Sequence, residues 1–206
     1  MYYAITGIIL AGGKSSRMGV NKSFLKLGNQ TIVERITVLM KSIFKGVIII
    51  TNTPAEYAFL QLPLYEDIYK EKGPLGGIHS GLTYSKTEKN FVISCDTPLM
   101  TKEMIEHIAN YKTEKPITFC EAAGYHQPLA GVYSKSLIGG IEKIICNDPM
   151  SDKSFHHFLK SVDAEIIHPE NLSFYKDEIY FNVNNPDDYK YISQKRNSFM
   201  IETTNK

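Results

Sequence analysis

Cysteine is scarce in this chain. There are only Cys95, Cys120 and Cys146, an odd number at wide spacings. That pattern gives neither a disulfide framework nor a C-x-x-C metal knuckle. It fits a reducing cytoplasm. Net charge is nearly absent as well: 23 Lys and Arg face 22 Asp and Glu, a formal +1. Such a balance gives no reason to expect nucleic acid or a membrane surface as partner. An anionic ligand would have to be held by local charge. No apolar run approaches the ~20 residues needed to cross a bilayer. Met1–Leu10 lacks a basic n-region and breaks at Gly12-Gly13, unlike a signal peptide. H-E-x-x-H is missing, and His156-His157 are adjacent. On a helix they would point about 100° apart and chelate poorly, so a surface or core role is expected. Linkers, repeats and low-complexity segments are absent too. One domain over residues 1–206 is expected, with a polar tail frayed from about residue 194.

What is present begins at residues 10–22, Leu-Ala-Gly-Gly-Lys-Ser-Ser-Arg-Met-Gly-Val-Asn-Lys, directly after the apolar run Ile5–Leu10. Gly12 and Gly13 lack a Cβ, so the main chain can bend sharply and lie close to a ligand. Successive free N–H groups in such a turn make a concave anion site. Lys14, Arg17 and Lys22 add positive charge with no acid between them. The loop is not a Walker P-loop, because the glycine required five positions before Gly13 falls on Ile8. Gly12-Gly13 is not the G-x-G-x-x-G dinucleotide fingerprint either. A nucleoside triphosphate cradle of another type is the reading that remains against an ordinary glycine turn.

Short β-rich runs alternate with helical patterns. Ile5–Leu10, Val47–Ile50, Leu62–Tyr65, Phe91–Cys95, Ile117–Cys120, Pro128–Tyr133, Ala164–Ile167 and Tyr180–Val183 read as strands. Thr31–Phe44, Leu75–Tyr84, Thr101–Tyr111 and Ser134–Cys146 read as helices. In the first, Ile32, Ile36, Leu39 and Ile43 share a face; in the last, Leu137, Ile141, Ile144 and Ile145 do. The alternation predicts an α/β sandwich around a mostly parallel sheet. Parallel pairing would gather Gly12-Gly13, Thr51-Asn52, Glu66-Asp67 and Asp96 along one edge, where open α/β sheets bind ligands.

Asp96, in Cys95-Asp96-Thr97-Pro98, is a carboxylate at a strand end beside a proline-fixed turn. Mg²⁺ takes one or two carboxylates together with substrate phosphates. With a cationic glycine loop in the same chain, a metal role outweighs an Asx-turn. Cys95 reads as a small buried residue rather than a nucleophile, since Asp96 would raise its pKa. Gly73-Pro74-Leu75-Gly76-Gly77 reads equally as a loop bringing bare backbone to a base or sugar and as small-residue helix packing. Asn52 and Asp67 are candidates for a base edge or ribose hydroxyl. Asn184 is a candidate for the metal or a second substrate. Asp187 and Asp188 suit the first turn of a helix.

Leu-Ala-Gly-Gly-x-Ser-x-Arg-Met-Gly-x-x-Lys, Gly-Pro-Leu-Gly-Gly-Ile, Cys-Asp-Thr-Pro and Asn-Val-Asn-Asn-Pro-Asp-Asp occur in that order. Together they resemble the molybdenum cofactor guanylyltransferases (MobA), over roughly Ile5 to Tyr191. The resemblance implies a Rossmann-like nucleotidyltransferase fold, a three-layer sandwich. It implies transfer of GMP from Mg-GTP to the terminal phosphate of molybdopterin, with release of pyrophosphate. Hand-over of the product to apo-molybdoenzymes follows from the same source. The nucleotide contacts it implies are Leu10, Ala11, Gly12, Gly13, Lys22, Asn52, Asp67 and Asp96, with Asp96 on Mg²⁺. Around Asn52 the register leaves room for Thr51 or Thr53. His126-Gln127-Pro128 sits where the family meets the pterin. Arg17, Lys22 and Asp96 are the expected catalytic set: Arg17 for the leaving pyrophosphate, Lys22 for charge on the α-phosphate. Lys14 is an additional helper. The alternatives are a cytidylyltransferase acting on molybdopterin or a sugar phosphate, and a nucleotide-binding regulatory module without catalysis.

Overall fold

The computed structural model describes residues 1–12, 21–147 and 154–203. The chain opens with β1 (Tyr2–Leu10), then a small hairpin of β2 (Lys26–Leu27) and β3 (Gln30–Thr31). α1 (Ile32–Ile43) follows. Its start is set by Thr31, whose hydroxyl accepts the Glu34 N–H while the Glu34 carboxylate accepts the Thr31 N–H, a reciprocal cap. Next come β4 (Phe44–Ile50), the short α2 (Pro54–Tyr57) and β5 (Leu64–Tyr65). α3 (Gly73–Tyr84) and β6 (Lys89–Ser94) lead to α4 (Lys102–Ala109). β7 (Ile117–Ala122), β8 (Tyr125–Ser134), α5 (Ile138–Asn147), α6 (Ser154–Ser161), β9 (Ala164–Ile167) and α7 (Pro186–Thr203) complete the order.

Among the described residues, seven strands form one sheet in the order β5-β4-β1-β6-β8-β7-β9. Every neighbouring pair is parallel except those made by β8, which runs against both β6 and β7. The reversal has a local cause. Ala123 and Gly124 take φ of 51° and 76°, so a two-residue turn joins β7 to β8. Two successive positive φ values match the right-handed twist of a hairpin.

Alternation along β1 sorts the core into two layers. Ile5 and Ile9 face α1 and α4 with Ile36, Met40, Ile43, Met104 and Ile108. Ile8 faces α3, α5 and α6 with Ile78, Leu82, Ile141, Ile145 and Phe158. The three-layer arrangement is thus set by a period of two in the strands and of 3.6 in the helices. In α1 the fully buried face includes Val33 and Met40, with Leu39 at its margin. Leu137, in the 3-10 turn just before α5, and Ile141 and Ile145 within it are buried, and Ile144 is half-buried.

One expectation is corrected. Tyr180–Val183 is not a strand. Asp177–Tyr180 is a 3-10 turn, and Val183 gives its N–H to the Asp96 carbonyl at 2.9 Å instead of to a sheet neighbour. Its apolar pattern serves packing, since Val183 is buried with Leu27, Ile32 and Ile192. α7 runs through Thr203. No Gly or Pro follows Pro186, so no local breaker stops the helix.

Candidate active site

Parallel register brings the ends of β1, β4, β5 and β6 level. Leu10 pairs with Ile50 and with Ser94, and Ile50 pairs with Tyr65. The segment beyond β1 is then fixed on both sides. Ala11 donates its N–H to the Ile50 carbonyl at 2.9 Å, and Cys95 donates to the Leu10 carbonyl at 3.2 Å. Ala11 is buried while Gly12 is exposed. A Cβ on Gly12 would stand 3.7 Å from Asn52 N and Thr51 Cα. Leu10–Gly12 therefore lies between Asn52 on one side and Asp96 on the other.

On the first side, Asn52 and Asp67 form a reciprocal pair. Asn52 Nδ2 donates to Asp67 Oδ2 at 2.7 Å, and the Asp67 N–H donates to Asn52 Oδ1 at 3.2 Å. Burial pushes the Asp67 carboxyl above its ordinary range; the Asn52 hydrogen bond and Lys70 oppose that shift. A cavity opens beside the pair, lined by Leu10, Gly12, Asn52, Asp67, Pro74 and Gly77 among others. Glycines in α3 shape its wall. A Cβ on Gly76 would come within 2.8 Å of the Tyr69 carbonyl, and one on Gly77 within 3.2 Å of Leu10 Cδ2. Gly77 lines the cavity, and Gly76 lets the loop carrying Asp67 pack on α3. Thr51, the alternative at this place, is buried.

On the other side, Lys22 Nζ lies 2.9 Å from Asp96 Oδ2 and 3.1 Å from Asn184 Oδ1. Three distant parts of the chain meet here, and each is anchored. Asn21 caps the 3-10 turn Lys22–Phe24 by accepting the Ser23 N–H. Its amide also donates to Tyr57 Oη at 3.1 Å and Glu56 Oε2 at 3.3 Å. Ser23 Oγ and Cys95 Sγ lie 3.0 Å apart. Asp188 accepts the N–H groups of Asn184 and Asn185 at 2.8 and 3.0 Å, and donates its own N–H to Asn185 Oδ1. Asp188 is thus a first-turn acid, with a capping role more specific than dipole attraction.

Cys95 is buried, and its thiol is pushed up to about 11 by burial, then by Asp96. Lys22, distant in sequence, opposes that rise. His156 and His157 are exposed on α6. His126 lies on β8, paired with Glu121 at 3.0 Å. Gly13, Lys14 and Arg17 lie outside the described residues. Asn21, Ser23 and Tyr57 were not singled out from sequence. Only Asn21 carries a local signal, as a favoured cap residue; the other two gain meaning from contacts distant in sequence.

A profile of the MobA-like NTP transferase domain matches residues 7–164. A probable molybdenum cofactor guanylyltransferase from Carboxydothermus hydrogenoformans is 37% identical over 190 residues, covering 90% of this chain and 93% of its own. Among solved structures, molybdopterin-guanine dinucleotide biosynthesis protein A from Archaeoglobus fulgidus superposes with a TM-score of 0.79 at 20% identity, over 94% of this chain and 99% of its own. A Mycobacterium tuberculosis protein solved in complex with manganese gives 0.69 at 14% identity, over 94% and 100%. The two structures carry the fold.

Proposed function

The chain belongs to the MobA-like NTP transferase family, and from that premise we propose how its site transfers GMP from GTP to molybdopterin. The guanylyltransferase activity rests on relatives similar over nearly the whole chain. The observation that supports the site is its linear order. Asp67, Asn52, Gly12 and the Lys22–Asp96–Asn184 group follow one another along the carboxyl edge of the sheet. Asp67 and Asn52 take the base or ribose beside Gly77. Leu10–Gly13 cradles the phosphates with backbone N–H groups. Lys22 and Arg17 offset phosphate charge, with Lys14 assisting.

Two hard oxygens, Asp96 Oδ2 and Asn184 Oδ1, converge on one cationic nitrogen. A carboxylate and an amide oxygen suit Mg²⁺, so Asp96 and Asn184 would hold it. When bound, the ion neutralises phosphate charge. The relative solved with manganese supports a divalent ion in this fold.

The reaction is a single in-line displacement. A phosphate oxygen of molybdopterin, already anionic, attacks the α-phosphorus, and the α–β bridging bond breaks to release pyrophosphate. No strong general base is required, so positioning and charge neutralisation supply the catalysis. The cytoplasm is the proposed setting, and apo-molybdoenzymes the proposed recipients.

Pyrophosphate release from GTP, CTP or UTP with molybdopterin tests the reading. GTP alone should be turned over. Preference for CTP would make the chain a cytidylyltransferase, and silence with all three would make it a binding module. Asp96→Ala should abolish divalent-dependent turnover, and Lys22→Ala should lower kcat at saturating GTP.

A further inference from the structure

The Lys22 ammonium sits where the Asp96 and Asn184 oxygens converge, at 2.9 and 3.1 Å. A divalent ion bound by the same oxygens would stand roughly 2.1 Å from each. Both cations would then draw on the same two oxygens. Like charges so placed repel strongly, even with partial solvent screening. We infer that Lys22 is a competitor for the metal position, a latch that holds the site closed to metal until phosphates draw the lysine away. The inference rests on the metal position proposed above.

The anchoring says which part moves. Val183 N–H is bonded to the Asp96 carbonyl, Asn184 N–H to the Asp188 carboxylate, and the Lys22 turn to Asn21. Those backbones are fixed at every corner. The Lys22 side chain is the flexible member, with four rotatable carbons and a single charge. It is 21% exposed and Asp96 18%, so solvent and ligand can both reach the contact. An incoming triphosphate supplies anionic oxygens for Lys22 and frees the Asp96–Asn184 pair. Metal and nucleotide binding are then coupled: each favours the state the other needs. The lysine meanwhile satisfies Asp96 when no nucleotide is bound.

The test measures Mn²⁺ alone, without nucleotide, by the electron paramagnetic resonance signal of the free ion during titration of full-length protein. Lys22→Met keeps an unbranched side chain, one atom shorter, and removes its charge. It should tighten Mn²⁺ binding by at least about threefold, the scale of a partly exposed charge-assisted contact. Lys22→Arg keeps the charge and should bind no tighter than the unmodified chain. Equal or weaker binding by Lys22→Met overturns the latch, as does equal tightening by Lys22→Arg. Adding Asp96→Asn to Lys22→Met should remove the gain. Undiminished binding in that double variant overturns the metal position itself, and the latch with it. Circular dichroism confirms that each variant is folded.

Discussion

At Asp67 the demands of folding and of binding pull apart. Its carboxylate is partly withdrawn from water, and the hydrogen bond from the neutral Asn52 amide and the charge of Lys70 offset that burial only in part, while Glu66 adds to it. Burial raises its pKa above the unfolded value, so the folded state binds this proton more readily than the unfolded state. The group therefore lowers stability at pH values above its folded pKa. The cost disappears as pH falls below the unfolded value, about 3.9. Asp67→Asn keeps an oxygen that can accept from Asn52 and removes the charge. Its Tm should exceed that of the unmodified chain at neutral pH, and the gap should close as pH falls toward 4. Thermal unfolding across that range checks it. A gap that widened in acid would place the cause elsewhere. Retention of a destabilising carboxylate suits a group that meets a ligand's hydrogen-bond donors.

At the scale of elements, small residues decide how closely helices approach the sheet. A Cβ on Gly81 would lie 2.6 Å from Ile8 Cγ2, inside the α3–β1 contact. Ile8 is fully buried, so it has little space to yield. Gly81→Ala should cost about 1–3 kcal/mol and lower Tm by several degrees. Gly140 in α5 is exposed and would meet nothing within 4 Å. Gly140→Ala should stabilise by about 0.5–1 kcal/mol, because it removes backbone freedom from the unfolded chain. Chemical denaturation of both variants checks the opposite signs. The β7–β8 hairpin illustrates what local reading misses. Ile117–Cys120 and Pro128–Tyr133 were legible as strands, but the gap between them hid a two-residue turn. Ala-Gly is a weaker turn signal than Asn-Gly. The antiparallel strand inside the sheet follows from that turn.

At the scale of the whole molecule, the chain's end returns to its beginning. Val183 and Ile192 bury Leu27 and Ile32, and Tyr189 Oη donates to the Lys26 carbonyl at 2.6 Å. The same return delivers Asn184 to Lys22. A chain ended after Phe181 should therefore lose turnover and melt at lower temperature, since Leu27 and Ile32 lose their cover. Asn184→Ala keeps that packing and should lose turnover with little change in Tm. Equal loss of Tm in both would show that Asn184 serves packing. The shared single sheet also predicts one cooperative unfolding transition. The chain has no tryptophan, so tyrosine fluorescence and far-ultraviolet circular dichroism are the signals that should coincide.

The sequence by itself determined the layers and the strand ends at which the candidate site lies. Apolar periodicity marked the main strands and helices, and each polar motif followed a strand end. Parallel register then made those ends level. Periodicity reports which face is buried, and a glycine pair reports where backbone can bend; both are local properties. Only the tertiary structure decided the partners. That Asn52 pairs with Asp67, that Ser23 meets Cys95, and that Asn184 reaches Lys22 depends on strand order and on a C-terminal segment folding back. The Tyr180–Val183 run shows why. Its alternation fits a strand, yet its hydrogen bond goes to Asp96, because β6 is already paired with β1 and β8 and offers no edge there. Pairing across such distances is fixed by competition among whole elements, which a local pattern does not encode.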